Sequence, residues 1–190
     1  MSKSDPKSLS DNEIINLYLE TQSESYFSLI YDRYSNKIYS KCLSLLKNDA
    51  LAQDAAQDVF TKIFLNIAGF NQKSRFSTWV YSITYNYCID FLRRKKKEKT
   101  VLTSEDKGAS EDVMDEVDDK VLMEMELKRL KVILEKIPVE DKSVLLMKYR
   151  EELSIKEISQ IFGKTESAIK MKIKRAKHKA KTLYNATYQN

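Results

Sequence analysis

An all-α protein of two helical domains joined by an acidic linker is what this sequence predicts, with a helix–turn–helix as the DNA-binding part of the C-terminal domain. Three observations carry the prediction. The 190 residues include only 3 Gly and 2 Pro, and apolar residues recur at three- and four-residue steps along most of the chain. Residues 105–119 break that pattern with eight carboxylates against the single Lys107. Residues 154–183, SIKEISQIFGKTESAIKMKIKRAKHKAKTL, read as two short helices with a tight turn between them.

The elements follow in order. Ser10 and Glu13 form a capping box for a first helix over 11–20. A second helix spans about Ser25 to Lys47, with Phe27, Ile30, Tyr31, Tyr34, Ile38 and Leu45 on its inner face, and Asn48-Asp49 breaks it. A third covers 50–68 and stops at Gly69; the polar loop Asn71 to Arg75 follows. The fourth begins near Ser77, carries Phe76, Val80, Ile83, Tyr87 and Phe91 as its core stripe, and ends in the basic cluster RRKKK at 93–97. Residues 98–119 offer little to bury and are expected to form a flexible linker. Periodicity returns near 120, where Leu127, Leu130, Leu134 and Ile137 form a stripe that Pro138 ends. A helix over about 140–149 leads into the helix–turn–helix. The predicted domains are therefore 9–97 and 120–184, with 98–119 between them.

In the last two helices Ser154 and Glu157 make a second capping box, and Ile155, Ile158, Ile161 and Phe162 share one face. Gly163 supplies the left-handed residue that ends the helix, and Thr165 caps the next. There Ile169, Ile173, Ala176, Ala180 and Leu183 repeat at steps of four and three. At about 100° per residue, Lys170, Lys177 and Lys181 fall on one flank of that line and Lys172, Arg175 and Lys179 on the other. Ser167, Met171, Lys174 and His178 point away from the core. Two basic flanks around a less charged centre suit a helix whose sides meet phosphate while its tip reads bases. A merely solvated lysine-rich helix is the rival reading, which the capped partner helix and the glycine turn disfavour. A membrane-surface helix fits poorly, because the apolar stripe is narrow and half alanine.

Composition excludes several classes. The net charge of +5 and pI of about 9.0 point to a polyanionic partner. Cys42 and Cys88 lack metal-ligand spacing and read as buried thiols of a reducing, cytoplasmic compartment. His178 is the single histidine, too few for most histidine-based catalysis or metal binding, so neither a metal nor a cofactor is expected. The opening MSKSDPKSLSDNE has no apolar core of a signal peptide, and no run reaches membrane-spanning length.

Four blocks occur in a distinctive order: YDRYSNKIYSKCLSLLKND (31–49), AQDAAQDVFTKIF (52–64), RFSTWVYSITYNYCIDFLRRKK (75–96) and the segment 134–163 around IPVEDKSVLLMKYREELS. Together they resemble the extracytoplasmic-function class of bacterial RNA polymerase sigma factors, over nearly the whole chain from Leu9 to Leu183. The resemblance implies a subunit that binds core RNA polymerase, recognises promoter DNA and promotes initiation without catalysing a reaction. It implies that Asp54, Gln57 and Asp58 dock on the clamp coiled coil of the largest polymerase chain, with the C-terminal domain on the flap of the second large chain. The Phe70–Phe76 loop resembles one that captures a flipped minus-ten base, Asn86 a pocket-lining residue, and Asp90 its neighbour one turn on. Trp79 falls in the family's melting region or in the core. Arg93, Arg94, Lys95 and Lys96 would hold promoter phosphates. The last helix resembles the minus-thirty-five reader, with Lys170, Met171, Lys174 and Arg175 toward the groove. An anti-sigma factor is a further implied partner. The acidic linker either enters the RNA path of the polymerase, as in the family, or is a solvated tether.

The chain departs from the family pattern in places. Ala55 and Ala56 replace bulkier residues, Asp58 stands where Glu is usual, and lysine replaces arginine in the last helix. Lysine lacks the rigid fork of arginine for bidentate guanine contacts. Two other classes compete: a stand-alone helix–turn–helix regulator with a sensing or dimerising N-terminal domain, and a nucleic-acid enzyme. The first leaves the 93–97 cluster and the linker unexplained. The second lacks an acid/base or metal-binding constellation.

Overall fold

The structure, a computed structural model, describes residues 8–100 and 127–188. Among these residues there are eight α-helices and no strand. They are α1 (Asp11–Thr21), α2 (Glu24–Leu46), α3 (Asp49–Asn66), α4 (Phe76–Thr100), α5 (Leu127–Lys136), α6 (Val139–Tyr149), α7 (Ile155–Phe162) and α8 (Glu166–Tyr188). The chain divides into two compact units, Met1–Leu102 and Thr103–Asn190. The predicted linker lies outside the described residues except at its start, where α4 continues as helix to Thr100.

In the first unit local chemistry sets the helix ends. The Ser10 hydroxyl accepts from the Glu13 N–H (3.3 Å), and the Glu13 carboxylate accepts from the Ser10 N–H (2.7 Å), satisfying donors that an open helix end leaves exposed. α1 is then fastened to α2: Arg33 donates to Asp11 (2.9 Å) and to the Leu9 carbonyl (2.6 Å), and the Tyr34 hydroxyl donates to Asp11. Asn48 caps α3 by accepting from the Leu51 N–H at 2.9 Å. Ile14, Ile15, Ile30, Ile38, Val59 and Ile63 are fully buried at the centre, each side chain worth about 1.5–3 kcal/mol of burial.

Two predicted stripes shift. On α2 the buried line is Ile30, Tyr34, Ile38, Cys42 and Leu46, a straight four-residue step. Tyr31, predicted inside, is 51% exposed, with its ring 4.6 Å from that of Phe60. On α4, Phe76, Val80 and Cys88 enter the core, while Ile83, Tyr87 and Phe91 pack on its edge. Broad aromatics cover the rim of the bundle, and the small thiols fill the narrow space between α2 and α4.

Cys42 and Cys88 meet there with sulfurs 3.7 Å apart, the Cys88 thiol donating to Cys42. That hydrogen bond, and burial after it, push the Cys88 thiol well above its usual range. The same bond lowers the Cys42 thiol, but both sulfurs are fully buried and a reactive thiol must be accessible as well as ionised. Neither cysteine of the native protein is therefore expected to react with iodoacetamide, and both are expected to react once urea unfolds the chain. Native labelling at the rate of a free thiol would show that the α2–α4 core opens.

The second unit is built on Ile133, Ile137, Val144, Met147, Ile158, Ile161, Ile169, Ile173, Ala176 and Ala180, all buried. Leu127, predicted in the α5 stripe, is 83% exposed, and Ile133 rather than Leu130 or Leu134 lies at the centre of that helix. Pro138 both ends α5 and starts α6. Ser154 and Glu157 form the predicted box at α7 (Ser154 hydroxyl accepting from the Glu157 N–H, 3.2 Å). Gly163 takes φ 60°, and the Lys164 N–H reaches back to the Ser159 carbonyl (3.0 Å), a closure that favours glycine. Thr165 accepts from the Ala168 N–H (3.2 Å) and opens α8.

Candidate nucleic-acid interface

In the first unit α3 and α4 present one polar cleft of about 930 Å³. From α3 it takes Asp58, Lys62 and Asn66, spaced four residues apart; from α4 it takes Trp79, Ile83, Asn86, Tyr87, Asp90, Arg93 and Arg94. Such steps place side chains on one helical face. Four residues singled out as DNA-binding, Asn86, Asp90, Arg93 and Arg94, thus share a site with Asp58, singled out for polymerase docking. Lys62, Asn66, Ile83 and Tyr87 were not singled out as site residues, although the spacing at 58, 62 and 66 was a legible signal.

Asp54, Gln57 and Asp58 are all exposed on α3. Asp58 accepts a hydrogen bond from the Tyr87 hydroxyl, which ties α3 to α4. Partial burial, and then that bond, push the Tyr87 phenol up to about 12. Arg93 lies 3.6 Å from Asp90, both exposed. Lys95 and Lys96 are exposed on the following turn.

Phe70 does not stand on this surface. It is buried, with its ring 5.2 Å from Phe76 and 5.5 Å from Trp79 in edge-on and tilted contacts. In this structure the ring stands behind the exposed surface, against Trp79 of the cleft wall, and not among the residues that line the cleft. Trp79 joins the two places: it packs on Phe70 and Phe76 and lines the cleft. Between Phe70 and Phe76, Asn71, Gln72, Lys73 and Arg75 are exposed. Asn71 accepts from the Lys73 N–H (3.2 Å), and Gln72 at φ 57° donates to Asn16 (3.1 Å), so the loop has a defined turn with its polar groups outward.

In the second unit Ser167, Lys170, Met171 and Arg175 are exposed on α8, and Lys174 is half-buried. Three residues depart from the angular reading. Lys172 bridges to Glu140 (3.1 Å) and Asp141 (3.5 Å), and Lys179 bridges to Asp141 (2.6 Å). Those two side chains therefore face α6, while Arg175 of the same flank stays exposed. His178 is half-buried and lines a small cleft of about 250 Å³ with Ile137 and Pro138 rather than pointing freely outward.

The sequence matches Sigma-70 region 2 over residues 30–98 and Sigma-70 region 4 over residues 127–179. It is 33% identical over 160 residues to the ECF RNA polymerase sigma factor SigW of Bacillus subtilis, covering 80% of this chain and 84% of that protein. The chain belongs to the extracytoplasmic-function class of RNA polymerase sigma factors. The ECF sigma factor SigM of the same bacterium is 29% identical over 82% of this chain and 93% of its own. Among solved structures, CnrH in complex with the cytosolic domain of CnrY superposes with a TM-score of 0.62 at 18% identity, over 93% of this chain and 97% of CnrH. The sigma factor RpoE in complex with the anti-sigma factor NepR, from Bartonella quintana, gives 0.59 at 18% identity, over 83% of this chain and 95% of RpoE. These neighbours share the all-helical fold. The α3–α4 cleft of this sigma factor lies within the region 2 match, and the exposed face of α8 within region 4.

Proposed function

We propose that this sigma factor binds core RNA polymerase through Asp54, Gln57 and Asp58 and places two DNA-reading surfaces on one promoter. The α3–α4 cleft, flanked by Arg93, Arg94, Lys95 and Lys96, holds the opened minus-ten element, and Asn86 and Asp90 face a flipped base there. Residues 9–97 form this part, 120–184 the minus-thirty-five reader that also meets the polymerase flap, and 98–119 the acidic connection. The chain catalyses no reaction itself and acts in the cytoplasm. An anti-sigma factor is a proposed further partner, since RpoE was solved with one.

The observation that carries this reading is the pairing, in one chain, of the region 2 and region 4 matches with a capped helix–turn–helix whose second helix exposes Lys170, Met171 and Arg175. Lys170→Ala and Lys174→Ala are each expected to weaken binding to the upstream promoter element. A lost phosphate contact lowers the log–log salt slope by about 0.9; a lost base contact relaxes preference at one position. Unchanged affinity, slope and preference in both variants would remove α8 from the DNA. Co-purification with core polymerase separates this reading from a stand-alone regulator, which has no use for the enzyme.

A further inference from the structure

We infer that Glu140 and Asp141, in the first turn of α6, serve as an internal counter-charge to the recognition helix, holding Lys172 and Lys179 away from DNA. Promoter phosphates then meet α8 from the side of Lys170 and Lys174 and at Arg175. The inference rests on the proposed role of α8 as the minus-thirty-five reader.

The geometry is specific. Lys172 and Lys179 are seven residues apart, nearly two full turns, so they leave α8 in almost the same direction. Asp141 receives both, its side chain 8% exposed between Lys179 at 2.6 Å and Lys172 at 3.5 Å. Glu140 takes a second hold on Lys172 at 3.1 Å, and the Lys172 ammonium also lies 5.7 Å from the centre of the Phe162 ring. A carboxylate this buried is strongly penalised if its cations leave, so neither lysine is readily released to a phosphate. Lys170 and Lys174 stand about 160° round the helix from Lys172. Among the described residues no ion pair engages Lys170, Lys174 or Arg175.

The consequence concerns specificity. Affinity for arbitrary DNA grows with each phosphate neutralised, without any sequence preference. A helix with every cation free would bind duplex of any sequence. Clamping two of them lowers that background and fixes the rotation at which α8 meets the groove. Asp141 and Glu140 are positioning residues, acting through the lysines they hold.

The test measures binding of the full chain to a labelled duplex of mixed sequence across a salt series. Glu140→Gln with Asp141→Asn is expected to steepen the salt slope by up to about 1.8, two freed lysines at about 0.9 each. A slope unchanged or shallower in the folded variant overturns the clamp. If that variant loses its helical circular dichroism, the lysine variants decide: K172Q and K179Q are each expected to leave the slope at the wild-type value, while K170Q lowers it by about 0.9. K172Q or K179Q lowering the slope as K170Q does overturns the clamp and keeps α8 on DNA. K170Q and K174Q both without effect on affinity and slope remove α8 from the DNA, and the clamp's function falls with it.

Discussion

Asp54→Lys combined with Asp58→Lys is expected to abolish co-purification with core RNA polymerase while the helical signal of the protein stays at the wild-type level. Both residues are exposed on α3, so their replacement leaves no buried charge behind. In the proposed complex, however, two charges change sign, a net change of four units, where basic polymerase groups are to be met. Like-charge juxtaposition at an interface costs several kcal/mol, and each 1.4 kcal/mol is about a tenfold loss of affinity. Asp58 also accepts from Tyr87, and losing that surface hydrogen bond costs about 1 kcal/mol of local stability. Tyr87→Phe isolates this smaller effect and is expected to retain polymerase. Equal loss in Tyr87→Phe would place the defect in α3–α4 packing rather than in docking, and full retention by the double variant would remove α3 from the interface.

Legibility of the fold depended on how local the determining interactions are. The helix–turn–helix was fully written in short-range signals: Ser154, Glu157, Gly163 and Thr165 act within three or four residues of themselves, and the structure forms both caps and the left-handed glycine. The step pattern of α8 named Ile169, Ile173, Ala176 and Ala180, all of them buried, and Leu183, which is half-buried. Long-range choices were not legible. Periodicity could not say whether Tyr31 or Cys42 faces inward, because adjacent lines on a helix with apolar residues on more than one side differ only in what packs against them. Cys42 and Cys88 are 46 positions apart and meet at 3.7 Å. The pairing of Lys172 and Lys179 with α6 spans 32 and 38 positions, so angle alone assigned them to phosphate.

The candidate site divides the same way. The exposed acids of α3 and the basic end of α4 were readable as surface, since charges are rarely buried without partners. Their convergence on one cleft was not, because it requires knowing that α3 and α4 lie side by side. Phe70 was the least legible case. An aromatic beside a polar loop is compatible with a base-stacking platform and with a core anchor, and only the positions of Phe76 and Trp79 decide between them.

Phe70→Ala and Asn86→Ala are therefore expected to impair promoter opening by different routes. Phe70 is 6% exposed and packed against two aromatic rings, so its truncation should destabilise the first unit by about 3–5 kcal/mol. That is a large share of the 5–15 kcal/mol that holds a typical domain folded. Asn86 is exposed and lines the cleft, and its truncation should change stability by less than about 0.5 kcal/mol. Thermal unfolding separates the two. Permanganate footprinting on matched and pre-opened promoter templates then locates the functional loss. Asn86→Ala should be deficient on the matched template, where a base must leave the stack at a cost of a few kcal/mol, and much less so on the pre-opened one. Phe70→Ala should be deficient on both, because the loop and the cleft wall at Trp79 lose their support, and cooling should restore part of its activity. An Asn86→Ala defect equally severe on both templates would place Asn86 outside base capture. A Phe70→Ala protein with wild-type thermal stability would return that ring to the surface and to the DNA.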